Sequence, residues 1–285
     1  MLPSSDQGVA LKLCIEPTAA ADSGRQRQDI IGCQIDISSV NKACNDILLA
    51  VAAQQSGYVC LANVHMCMEA LDRPEFARVL DNAMLVLPDG RPILWGQRLL
   101  GQRQAKQVRG LDLVLALCAK AEQQGLRLGL YGGTDAALLS QLKMRLLLRF
   151  PLLRLSYSFA PPFRPLTATE TADQLAAIQA AKVDILLVGL GCPKQEFWMA
   201  QVQAQLPSPS SGGSLPVMLG VGAVFDFLAG RKMTAPKLVQ RLGLEWLFRL
   251  LSEPTRLTGR YLRHNPRFIL RFGLQYIRGM IKHHG

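Results

Sequence analysis

A carboxylate that ends an apolar strand and is followed by glycine sits where a substrate can approach closely. Asp89 is such a group: it follows the apolar run at residues 83–88 and precedes Gly90. Held there, it can take a proton from a substrate hydroxyl. The bland alternative is that Asp89 caps the helix starting near Pro92, since Asp is a favoured N-cap. Asn63, at the end of the run 58–63, occupies the same kind of position. A third constellation is DILLVGLGCPKQE at residues 184–196: an apolar strand, a turn with Gly189 and Gly191, then a helix opened by Pro193. Such a turn points backbone N–H groups and the positive end of a helix dipole at an anion, for which a nucleotide diphosphate is the obvious candidate. Lys194, Gln195 and Glu196 add a charge for phosphate and hydrogen-bonding forks for a base or sugar. A ligand-free strand-to-helix turn would look the same at the glycines alone.

These groups need elements that bring them to one edge. The chain alternates apolar runs with helical stretches from residue 29 onward. Strands are expected at 30–37, 58–63, 83–88, 127–131, 152–156, 184–188 and 217–221. Helices are expected after Ser38 or Ser39, at 110–124, from Thr134 or Asp135 to 150, and from a Thr169 cap to 181. Gly132 and Gly133 end one strand, and Gly220 and Gly222 mark the end of the last. The expected fold is α/β: a Rossmann-like, doubly wound, mostly parallel sheet with its ligand at the strand C-termini. Three segments follow: a loose leader at 1–28, a catalytic domain at 29–234 and a basic helical appendage at 235–285. Residues 207–216, PSPSSGGSLP, read as a flexible surface loop.

Of 285 residues, 49% are hydrophobic, enough for a substantial core, and the net charge is +11. Residues 231–285 hold 12 of the 32 Lys and Arg but only 2 of the 21 Asp and Glu, so nearly all the excess is in the tail. Its arginines recur among aliphatic and aromatic residues, as in a helix lying on an anionic membrane surface. A packed helix with a solvated basic face is the alternative, favoured for the stretch 236–251. Seven cysteines show neither C-x-x-C nor zinc-finger spacing and read as buried thiols in a reducing compartment. Neither a secretory signal nor a run of about 18 apolar residues is present, so the expected location is cytoplasmic, with attachment to a membrane surface left open.

Several blocks together resemble the WecG/TagA/CpsF glycosyltransferases, glycosyltransferase family 26. They are CLANVH, LVLPDGRPILWG, GLDLV, LYGG, APPF, VGLGCPKQEFW, GVGAVFDFLAG and RLGLEWLFRLLSEPTR, in order between about residues 30 and 270. The resemblance implies a bacterial enzyme, peripheral on the inner face of the cell membrane, that moves a sugar from a UDP-sugar, with inversion and without metal, to a saccharide on a polyprenyl diphosphate. Implied products are surface polysaccharides, and both mannosaminyl and glucosyl transfer occur in the family. It implies Asp89 as general base and Asn63 as an active-site amide. Gln195 and Glu196 fall in the nucleotide-sugar motif, with Gly132, Gly133, Gly191 and Lys194 beside the nucleotide. Among the cations, Arg231, Arg249 and Arg256 are assigned to the lipid diphosphate. Two positions depart from the pattern: Leu61 stands where Thr is common, and Gln107 where Arg is common, with Lys106 or Arg109 able to replace that charge. No D-x-D occurs anywhere in the chain, which agrees with metal-free, cofactor-free transfer. The basic tail by charge alone suits nucleic acid, anionic lipid or a polyphosphate, but the resemblance implies no nucleic-acid partner; a homo-oligomer is open. Two other readings stand beside it, a dinucleotide oxidoreductase and a nucleic-acid-binding protein. The first is weakened because Gly189-x-Gly191 continues as Cys192, Pro193, Lys194 and does not complete G-x-G-x-x-G. The second lacks any recognised binding module.

Overall fold

The computed structural model describes residues 25–205 and 216–284, with the side chains of 241 and 282–284 left aside. The loop expected at 207–216 and most of the expected leader lie outside the described residues.

The chain opens with an antiparallel hairpin, β1 (Arg27–Ile30) and β2 (Cys33–Asp36). A single strand was expected over 30–37. The chain instead reverses at Ile31 and Gly32, both at positive φ (49° and 88°), the backbone of a tight hairpin turn. Ile–Gly is not the usual signature for that turn, and the apolar run hid it. Then follow α1 (Val40–Ala52), β3 (Gly57–Ala62), α2 (Val64–Asp72), α3 (Pro74–Asp81), β4 (Leu85–Pro88), α4 (Arg91–Leu99) and α5 (Gly110–Gln124). The second half holds β5 (Arg127–Gly132), α6 (Ala136–Arg149), β6 (Arg154–Phe159), α7 (Ala168–Ala180), β7 (Ile185–Gly189), α8 (Lys194–Gln205), β8 (Val217–Gly220) and α9 (Val224–Leu228). The appendage is α10 (Lys237–Arg241), α11 (Glu245–Ser252) and α12 (Pro254–His284).

Six strands form one parallel sheet in the order β4-β3-β8-β7-β5-β6. Its side chains alternate between two cores. Val59, Leu61, Leu187 and Leu219 face α1, α5, α6 and α9, whereas Tyr58, Cys60, Val188 and Met218 face α2, α3 and α8. Helices on both faces of a parallel sheet are the doubly wound arrangement, and the inner strands are accordingly apolar and buried, whereas the edge strand β6, RLSYSF, alternates exposed and half-buried residues.

The hairpin covers the β4 side of the sheet. Asp36, almost fully buried, accepts the Val86 N–H at 2.7 Å and pairs with Arg25 at 2.8 Å. Helix α12 in turn fastens the hairpin: Gln275 accepts the Ile31 N–H at 2.8 Å and donates to the Asp29 carbonyl at 2.9 Å. The helix expected over 236–251 is broken at Gly243 (φ +75°), where a Cβ would stand 3.1 Å from the Trp95 ring. The α7 cap is Thr167, in a reciprocal capping box with Glu170, and not Thr169.

Candidate active site

The loops after β3, β4, β7 and β8 meet at the C-terminal edge of adjacent strands, the place where open α/β sheets bind ligands. The Ala62 carbonyl accepts the N–H groups of both Asp89 (3.0 Å) and Gly90 (3.1 Å), which fixes the end of β4 against the end of β3. A Cβ on Gly90 would lie 3.2 Å from Asn63 Cα, tighter than an ordinary contact, so glycine eases this approach. Asn63 caps α2 with its side-chain oxygen, taking the Met66 N–H at 3.2 Å. Its carboxamide N–H₂ is the group left to face a ligand.

Asp89 is not the cap of α4. That N-cap is Gly90, without a side-chain bond, and Asp89 Oδ1 instead accepts the N–H of Gly110, first residue of α5, at 2.9 Å. Its backbone carbonyl receives the Gln107 side-chain amide, so the residue standing where Arg is common braces the Asp89 loop. Burial pushes the Asp89 carboxyl up to about 6, opposed by the Gly110 hydrogen bond and by the positive charge of Arg249. A partly buried carboxylate near neutrality is suited to proton abstraction.

On the neighbouring turns, Gln195 is a staple. Its Oε1 accepts the N–H of Gly191 at 3.1 Å and of Gly222 at 3.0 Å, and its Nε2 donates to Glu196 Oε1 at 2.7 Å. The Gly191 N–H, which its turn was expected to point at an anion, is thus taken by a side chain of the same site, as is the Gly222 N–H. Glu196 is fully buried; burial raises its carboxyl to about 7, and its Oε2 has no hydrogen-bond partner among the described residues. Gly132 (φ +118°) is demanded by packing, because a Cβ there would lie 2.6 Å from the Gly189 carbonyl carbon. Gly133 donates to the Gly189 carbonyl at 3.0 Å, and Lys194 projects exposed at the start of α8.

The appendage closes over Asp89. Arg109 bonds the Gln240 side chain and pairs with Glu245 at 3.2 Å, while Arg91 donates to the Gln240 carbonyl at 2.9 Å. Arg249 lies over the Phe227 ring at 5.3 Å with its Nε buried and without partner, and the Nε of Arg260 is in the same condition. Arg256 pairs with Glu253, and Lys232 reaches the same carboxylate at 3.0 Å. Arg231 stands apart from this group in a two-pronged pair with Asp135 at the start of α6 (2.7 and 2.9 Å), beside the Gly132–Gly133 turn. Arg260, His65 and His264 belong to the neighbourhood but were not singled out from sequence. The available signal was the i, i+4 spacing of Arg260 and His264 on the core-facing side of α12.

A model of the glycosyl transferase WecG/TagA/CpsF family matches residues 28–282. The chain belongs to that family. Among curated relatives, an N-acetylglucosaminyldiphosphoundecaprenol N-acetyl-beta-D-mannosaminyltransferase from Bacillus spizizenii strain W23 is 30% identical over 205 residues, covering 71% of this chain and 74% of the relative. As a WecG/TagA/CpsF member the protein is a glycosyltransferase, which decides against the oxidoreductase and nucleic-acid readings. No helix among the described residues is long and apolar enough to cross a membrane.

Proposed function

We propose that the protein transfers an N-acetylmannosaminyl residue, or a closely related sugar, from a UDP-sugar to a saccharide on a polyprenyl diphosphate, with inversion and without a metal in the reaction. The observation that carries this reading is Asp89, raised to about 6 at the strand edge beside Asn63 and the β7 and β8 turns. The name of the Bacillus relative supplies the sugar and the lipid-linked acceptor. Asp89 takes the acceptor hydroxyl proton as the oxygen attacks the anomeric carbon from the face opposite UDP, and the bond to the UDP oxygen breaks. Asn63 orients the sugar through its amide N–H₂. The negative charge of the diphosphates falls on cations, since Gln195 already occupies two backbone donors.

Arg249 and Arg260, with their unpartnered Nε groups, form the acceptor-diphosphate subsite together with Arg256. The three lie close enough that Arg249 and Arg256 help hold the Arg260 guanidinium below its ordinary range, after the larger effect of burial. An anion there relieves that repulsion. Arg260→Ala is expected to raise the KM for the lipid acceptor at least about tenfold, as the loss of a charged hydrogen bond does, and to leave UDP-sugar affinity unchanged. Equal losses for donor and acceptor would count against the assignment.

Helix α12 turns Leu257, His264 and Phe268 to the core and leaves Leu262, Ile269, Leu270, Ile277 and Ile281 exposed on the opposite side. Arg263, Arg271 and Arg278 run between the two stripes. This pattern supports a helix seated in an anionic lipid interface, with the acceptor's headgroup next to the arginine cluster. Ile269→Ser with Ile277→Ser should abolish flotation with phosphatidylglycerol vesicles while sparing transfer to a short-chain, water-soluble acceptor. Undiminished flotation would remove the membrane from the account. Transfer from UDP-N-acetylmannosamine to polyprenyl-diphosphate N-acetylglucosamine is the direct test of the function; turnover only with another donor class would reject the sugar.

A further inference from the structure

His65, Glu69 and His264 offer ligand atoms that all lie within 4.8 Å of one another. Two of them come from α2, where the i, i+4 spacing of His65 and Glu69 puts both side chains on one face, and the third comes from the appendage helix α12. The imidazole rings of His65 and His264 are 5.0 Å apart between centroids and tilted by 38°. No hydrogen bond among the described residues links the three groups to one another. His264 is 5% exposed, and its Nδ1 has no partner. An unpaired polar nitrogen is costly to bury, and a packed helix rarely leaves one without a reason. A thiol is also at hand, with Cys192 Sγ 3.9 Å from His65 Nδ1.

We infer that this cluster is a divalent transition-metal site of the zinc class that fastens α12 to α2. Two imidazoles and one carboxylate suit zinc, cobalt or nickel, whereas magnesium and calcium require oxygen donors. Burial and the charge of neighbouring arginines, Arg260 at His65 and Arg263 and Arg267 at His264, hold both imidazoles below their ordinary range. The same arginines oppose a bare cation, so Glu69 is the indispensable ligand, with Asp72 adding negative charge nearby. Glu69 already pairs with Arg73 at 3.5 Å, a loose contact that a metal ion would displace. The cation takes no part in the displacement at Asp89: it locks the appendage in the closed position that aligns Arg249 and Arg260.

The test is zinc titration of the full-length protein against a chromophoric chelator, with hydrogen exchange of the 257–268 amides read in parallel. The wild type should bind one equivalent of Zn²⁺ and show slower exchange across α12 when loaded. Glu69→Gln, on a partly exposed helix face, and His264→Gln should each weaken binding at least about tenfold and lose the exchange protection. Failure to bind one equivalent, or binding that survives both substitutions, overturns the site. Neither result depends on which sugar the enzyme transfers.

Discussion

Asp89→Asn abolishes transfer, lowering kcat by about 10²–10⁴-fold, the range for loss of a positioned general base, while UDP-sugar binding is unchanged. Asn keeps an oxygen for the Gly110 N–H, so the start of α5 stays capped. Stability separates the catalytic role from a structural one. The folded carboxyl is raised to about 6, above its unfolded value, so its contribution to stability is fully present below the unfolded pKa and is lost as pH rises through about 6. At neutral pH the native protein therefore carries a charged Asp89 at a cost of roughly 3 kcal/mol. Asp89→Asn removes that cost and should raise Tm at pH 7.5 by a few degrees, with the gain vanishing near pH 4. In the wild type, kcat/KM should climb through an acid limb near pH 6. A variant that loses donor binding and stability together would make Asp89 a structural residue.

Gln195→Ala has the second largest expected effect, for a different reason. It leaves the N–H groups of Gly191 and Gly222 and the Glu196 carboxyl without partners at the junction of β7, β8 and α8. A buried group stripped of its partner costs about 1–3 kcal/mol, and the half-buried Gly191 and Gly222 N–H groups less than that each, so a loss of about 2–3 kcal/mol in urea unfolding is expected, with donor affinity falling alongside. Gln195→Glu retains the acceptor oxygen but sets a second carboxyl against Glu196, and should be nearly as damaging. If Gln195→Ala keeps full stability and loses only donor binding, the side chain is a direct ligand and not a staple.

The sheet was legible because its strands are short, apolar and separated by helical periods, and the residues at their C-terminal ends, Asn63, Asp89, Gly191 and Gly222, converge as expected. What sequence could not show was partners distant along the chain. Asp89 turned out to cap α5, 21 residues on, instead of the helix beside it. Gln195 reads locally as a fork for a base, yet its oxygen is held by Gly222, 27 residues away. The hairpin at Ile31 was hidden by an apolar run, and the break at Gly243 is a left-handed helix-ending turn, closed by the Leu244 N–H on the Val239 carbonyl, that the apolar periodicity around it masked. In the appendage, composition showed a basic amphipathic helix, but which arginines turn inward depends on its docking through Gln275 and Phe268. Arg260 is therefore found only in three dimensions.

The most direct test of the central claim is a single assay. Purified protein in detergent is given UDP-N-acetylmannosamine and polyprenyl-diphosphate N-acetylglucosamine, with and without added Mg²⁺ or Mn²⁺, and the anomeric configuration of the product is read by NMR. The account predicts a β-linked disaccharide formed at the same rate with or without the added ion. Product with the donor's own anomeric configuration, or turnover that requires Mg²⁺ or Mn²⁺, would contradict direct displacement by an acceptor activated at Asp89.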